Sequence, residues 1–157
     1  MNIEFISPFL SSMSNVLVTM ASLKPRASGF QLEPTNLPEG DVTGIIPLSS
    51  PQASGTIALT FSKAVILHIA EKMLGEEFDE LNDKVADLVG ELANMVAGNA
   101  RELLEDKGYT FEMGIPKVIR GPNRELTRPQ TSNLVIVPFS TEAGEFYVEV
   151  SINSLEF

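Results

Sequence analysis

Apolar residues recur along the chain at two different periods, and the change between them organises it. Phe9, Met13, Val16, Leu17 and Met20 repeat at helical spacing and predict a first helix over residues 3–22, with Pro8 in its first turn or just ahead of a restart. The Pro-, Gly- and polar-rich run from Lys24 to Asp41 has room for a short edge strand or a loop, not for a long helix. VTGIIPLSS (residues 42–50) and ASGTIALTFS (residues 53–62) read as two strands of a hairpin, joined by a Ser50-Pro51-Gln52 turn. Ser62 is placed to N-cap a second helix that Gly75 stops. The connector EEFDELND leads into the longest helical pattern, Asp83 to Lys107, capped by Asn82 or Asp83. Lys107 falls in its last turn, where the helix dipole favours a cation, and Gly108 suits the C′ position.

Beyond Gly108 the period shortens. TFEMGIPKVIRGP (residues 110–122), NLVIVPFS (133–140) and GEFYVEVSI (144–152) read as strands, the last two linked by a tight turn at Thr141 to Gly144. Phe146, Val148 and Val150 alternate with Tyr147, Glu149 and Ser151, as on the two faces of a strand. The order helix, strands, helix, helix, strands predicts an α+β fold, long helices packed on a largely antiparallel β-sheet. Residues 1–157 read as a single domain, without a boundary for a second.

The helix over Asp83–Lys107 has an ordinary face and an unusual one. Val85, Leu88, Val89, Leu92, Val96 and Leu103 make the apolar stripe. The opposite face carries Asp87, Glu91, Asn94 and Gly98, at offsets of four, three and four. At about 100° per residue these fall within a sector of roughly 60°. A carboxylate, a carboxamide and a glycine in one column serve a site better than a solvated surface. The carboxamide offers an acceptor and a donor at once, which suits holding a water, and the carboxylate can pair with a partner's lysine. Gly98 costs about 1 kcal/mol against alanine in a helix interior, a cost that close approach of another group would justify. Gly90 lies to the side of the column and reads as easing helix packing. An ordinary polar face remains the alternative on spacing alone.

Composition removes several other functions. A net charge of −10 argues against nucleic-acid binding. The absence of cysteine excludes disulfides and thiolate chemistry. The N-terminus has no Lys or Arg before Lys24, so it lacks a signal peptide's basic region, and no apolar run reaches membrane-spanning length; the expectation is a cytoplasmic protein without a membrane partner. His68 is the only histidine, which leaves neither a multi-histidine metal site nor a triad, and reads as a helix residue at a core edge. The acidic connector misses the spacing and central glycine of an EF-hand loop. Arg101 and Glu105, four apart, read as a surface ion pair.

Glu91-Leu-Ala-Asn94-Met-Val-Ala-Gly98, preceded by Asp87 and followed by Pro116 22 residues after Asn94, resembles the signature helix of the CheC/CheX/FliY phosphatases of bacterial chemotaxis. The element order agrees along most of the chain. LSSMSNVLV in the first helix can be laid over VGELANMVA, which sets Ser12 against Glu91 and Asn15 against Asn94. With Ser12 where a second Glu would stand, the single motif is similar to CheX rather than to two-site CheC. The resemblance implies hydrolysis of the aspartyl phosphate of a CheY-like response regulator. It assigns Asn94 to orient the attacking water, Glu91 to pair with the regulator's lysine, and Asp87 and Gly98 to support or contact the partner. No metal or other cofactor is expected in this chain, because the divalent metal would be the regulator's. The resemblance also implies a homodimer joined through an edge strand, with the C-terminal hairpin as the candidate edge. The competing reading is a non-catalytic adaptor for a response regulator or a flagellar switch component.

Overall fold

Among the described residues eight antiparallel strands form one sheet, and three helices pack on one of its faces. The computed structural model describes residues 3–29, 31–32, 40–51, 53–121 and 133–153. In chain order the elements are α1 (Ile3–Ala21), β1 (Arg26–Ala27), β2 (Gln31–Leu32), β3 (Val42–Ser49), β4 (Ser54–Phe61), α2 (Lys63–Leu74), α3 (Asp83–Glu105), β5 (Glu112–Met113), β6 (Lys117–Arg120), β7 (Asn133–Thr141) and β8 (Gly144–Ile152). Across the sheet the order is β1, β7, β8, β4, β3, β5, with β2 also on β7 and β6 also on β3. The predicted α+β class and antiparallel sheet are what the structure shows.

One register line carries much of the core. Val42, Phe61, Phe146 and Phe139 are successive partners across β3, β4, β8 and β7. The Phe146 ring stacks on Phe61 at 5.3 Å and on Phe139 at 5.2 Å, between centroids. Rings of this size bury about 150–250 Å² each, so the row anchors the helix-facing side of the sheet. The alternation expected in β8 puts Phe146, Val148 and Val150 into this core, yet Glu149 and Ser151 on the other side are buried too.

The caps agree with the sequence. Ser62 Oγ accepts from Val65 N, Gly75 closes α2 in the left-handed conformation at φ +70°, and Asn82 Oδ1 accepts from Val85 N at 3.0 Å. The hairpin and the Thr141–Gly144 turn also form as expected. Gln52, in the first of these turns, lies outside the described residues.

Several expectations are corrected. Met20 is exposed, because Ser22 at φ +52° ends α1 and turns Leu23 back into the core, with its N–H donating to Leu17 O. Pro8 sits inside α1, so it has no N–H for the Glu4 carbonyl; Lys107 Nζ donates to that carbonyl instead, at 3.1 Å. Lys107 therefore lies past the end of α3 and ties it to α1, rather than occupying its last turn. Gly108 does adopt a positive φ, +90°. Leu104, not Leu103, enters the core: Ala86, Ala93, Ala97 and Ala100 are buried as well and shift the stripe to that side. The predicted strand over 110–122 is two short strands with a break between them. The C-terminal hairpin is not an edge. β8 lies between β7 and β4, and β7 is flanked by β1 and β2, so the outer strands are β1 and β2 on one side and β5 and β6 on the other.

Candidate functional site

The column on α3 stands over a cleft because two layers close up beneath it. Gly44 on β3 has no side chain to hold α3 away; a Cβ there would stand 2.9 Å from Val89 Cγ1 and 3.3 Å from Ala93 Cβ. Val118 on β6 is the register partner of Gly44 and reaches toward Gly90 on the same helix. At its far end β6 is tied back to the start of α3. Arg120 Nη2 donates to Asp83 Oδ1 at 2.6 Å, and Nη1 donates to Leu81 O at 3.3 Å. This exposed pair contributes little energy but fixes orientation.

Between α3 and the β5–β6 segment lies an open cleft of about 450 Å³, lined by Asp87, Gly90, Glu91, Asn94, Pro116 and Val118. The structure thus brings together Asp87, Glu91 and Asn94, which the helical spacing aligned, with Pro116 from the sequence signature. All three column side chains are exposed. Among the described residues none of them makes a hydrogen bond, and no cation lies within ion-pair distance of Asp87 or Glu91. The ion pairs formed nearby engage other acids, Lys84 with Glu76 and Arg120 with Asp83. Two carboxylates and a carboxamide with its full bonding capacity therefore face the cleft.

Gly98 is not part of the lining. Among the described residues a Cβ there would meet only Met113 Sδ at 4.0 Å, an ordinary contact, so none of them requires glycine at this position. Gly90 is the glycine of the site. A Cβ at 90 would stand 3.3 Å from Val118 Cγ2 and 3.8 Å from Pro116 Cβ, and would narrow the cleft. Gly90 and Val118 escape sequence reasoning because the only local signal, a helix glycine off the column, has no meaning until β6 is placed.

Other candidates fall where their neighbours dictate. His68 lies 3.2 Å from Glu142 Oε1 at the surface, far along the chain from the column. Arg101 and Glu105 approach to 3.7 Å, as their spacing predicts. The acidic connector is exposed apart from Phe78 and Leu81. Ser12, set opposite Glu91 by the internal echo, is fully buried and donates from Oγ to Val96 O at 2.6 Å. The equivalent position in α1 is thus part of the α1–α3 contact, while Asn15 faces solvent. Among the described residues no group of three or more His, Asp or Glu side chains is placed to hold a metal ion.

Residues 42–140, which include the whole column and Pro116, match the family of the chemotaxis phosphatase CheX. The chain belongs to the CheX family. A relative from Thermotoga maritima, the CheY-P phosphatase CheX, is 28% identical over 102 residues, 64% of this chain and 64% of that one, so the chain spans under two thirds of that relative's length in the match. The crystal structure of a CheC-like superfamily protein from Shewanella sp. PV-4 is 43% identical, covers 98% of this chain and 100% of its own, and superposes with a TM-score of 0.93. The CheX protein in a crystal structure of the CheX-CheY-BeF3-Mg+2 complex from Borrelia burgdorferi is 28% identical, with a TM-score of 0.77 and coverage of 98% and 100%.

Proposed function

We propose that this protein hydrolyses the aspartyl phosphate of a CheY-like response regulator. The observation that carries the reading is the cleft, in which Glu91 and Asn94 stand exposed beside Pro116, with no hydrogen bond or ion pair among the described residues. Family membership and the relative named CheY-P phosphatase support it. So does the CheX–CheY complex of the Borrelia burgdorferi relative.

An acyl phosphate is already an activated mixed anhydride, so its hydrolysis needs little covalent help. Water attacks phosphorus opposite the aspartyl oxygen; the P–O bond to the carboxyl breaks, leaving inorganic phosphate and a free aspartate. The main barrier is arranging that water in line. Asn94 does this through one carboxamide, accepting from the water at Oδ1 and donating to a phosphoryl oxygen or the water at Nδ2. Glu91, one turn away, pairs with the regulator's lysine and sets α3 over the phosphoryl group. Asp87 supports that placement from the next turn. Gly98 leaves room at the far end of the column for the partner's surface. The divalent metal is the regulator's, and this chain supplies no cofactor.

The same reading places the protein in the cytoplasm with its regulator. No helix among the described residues is long and apolar enough to cross a membrane. A homodimer would form through the outer strands now identified, β1 and β2 or β5 and β6, since the C-terminal hairpin is enclosed.

Phosphate release from a phosphorylated CheY-type receiver tests the reading, with wild type and Asn94→Ala compared. Wild type should accelerate release, and the variant should bind equally well with a rate about 10²-fold lower, as for loss of one orienting group. Receiver decay at the same rate with and without protein sinks the proposal, and binding without acceleration favours the adaptor.

A further inference from the structure

The segment between β5 and β6 holds one residue more than the strand it faces. β3 pairs Leu48 with Met113 and Ile45 with Lys117, so Ile46 and Pro47 stand opposite Gly114, Ile115 and Pro116. An extra residue of this kind is a β-bulge, a device that ends local pairing and re-aims a side chain. Two prolines cause it. Neither Pro47 nor Pro116 has an N–H, so the ladder cannot run through them. Gly114 makes the one bond available, donating to Pro47 O at 2.8 Å. A Cβ on Gly114 would stand 2.9 Å from Pro47 Cγ, so the bulge needs glycine there.

The residue pushed outward is Ile115. It is 87% exposed, against 39–49% for Leu74, Met20 and Val18, the other exposed large hydrophobics among the described residues. A single exposed isoleucine is common on protein surfaces and asks for no explanation by itself. This one differs in being held. The following proline confines its backbone to extended conformations, and the Gly114 bond fixes the other side.

Its place is also fixed. A Cβ at Gly98 would meet Met113, while one at Gly90 would meet Val118 and Pro116. The bulge thus runs alongside α3 in the opposite direction, passing the level of Asn94 and Glu91. Pro116, the next residue, lines the cleft itself. A surface that carries an acyl phosphate to Asn94 past Pro116 meets this rim, where Ile115 is the adjoining exposed side chain.

We propose that Ile115 is an apolar docking contact for the phosphorylated receiver, buried against it when Asn94 reaches the phosphorus. The proposal rests on the function argued above and adds a specificity residue to it. The cleft offers charged and polar groups, whose attraction weakens with salt. Ile115 supplies apolar burial, which salt does not screen.

The test uses the full chain with a CheY-type receiver charged with acetyl phosphate and Mg2+. Phosphate release is followed against receiver concentration at low and high salt for wild type, Ile115→Ala, Ile115→Glu and Ile115→Leu. Ile115→Ala should raise KM about tenfold and Ile115→Glu more, with kcat within about twofold and the KM ratio unchanged by salt. Ile115→Leu should restore KM to near wild type. Wild-type acceleration with an unchanged KM in Ile115→Ala overturns this proposal and leaves the phosphatase reading standing. A fall in kcat alone overturns it too, assigning the residue to the wall of the site. If Ile115→Glu alters the sedimentation mass of the chain alone and leaves KM unchanged, the residue belongs to a contact between copies and the proposal fails. If wild type releases phosphate from no receiver, both readings fall together.

Discussion

Gly44 on β3 and Val89 on α3 touch so closely that a Cβ at position 44 would stand 2.9 Å from Val89 Cγ1 and 3.0 Å from the Val89 carbonyl oxygen. The helix bearing the column rests directly on sheet backbone there. Two residues along, Glu91 is held at the height this contact sets, and Val118 beside Gly44 forms the opposing wall.

Substituting Gly44→Ala should therefore destabilise the protein by about 1–3 kcal/mol, the usual cost of overpacking a core. Phosphate release should fall as well, because α3 must lift and carry Glu91 and Asn94 away from Pro116. Urea denaturation and single-turnover decay check this; an unchanged midpoint with an unchanged rate would contradict the account.

The two helix glycines should part company. Gly98→Ala places its new methyl in ordinary contact with Met113 and gains helix propensity, so it should stabilise by about 0.5–1 kcal/mol. Gly90→Ala offsets the same gain by pressing on Val118 at 3.3 Å, and should leave stability lower than Gly98→Ala while reducing turnover. Thermal unfolding of the two variants side by side gives the comparison. Loss of receiver binding in a stabilised Gly98→Ala would mean that the partner comes close at that position.

Ser12→Ala should cost about 1 kcal/mol through the lost bond to Val96 O. Ser12→Glu should cost several times more, because a carboxylate would enter a fully buried site between α1 and α3. It should create no second activity. Chemical denaturation, with a turnover assay of the folded fraction, distinguishes this outcome from a restored site.

Glu91→Gln keeps the shape of the side chain and removes its charge. KM for the phosphorylated receiver should rise about tenfold at low salt, and the salt dependence of KM should shrink, since an ion pair is lost. Initial rates at two ionic strengths suffice. A salt response equal to wild type would argue that Glu91 meets no cation of the partner.

Features that act within a few turns of one element are legible in the order of residues alone. The column of Asp87, Glu91 and Asn94 follows from helical spacing, and the caps at Ser62, Gly75 and Asn82 follow from hydrogen bonds made within three or four residues. The Thr141–Gly144 turn is local in the same sense. Misread features depended on neighbours distant in the chain. Leu104 replaced Leu103 because small alanines, silent in a pattern of large residues, also meet the core. The C-terminal hairpin could not be seen as interior until β1, β2 and β4 paired around it. Gly90, Val118 and Pro116 meet in the cleft only once β6 lies beside α3. Periodicity and capping report contacts a few residues apart; which strand lies beside which helix depends on packing between segments far apart in sequence, and only the folded chain decides that.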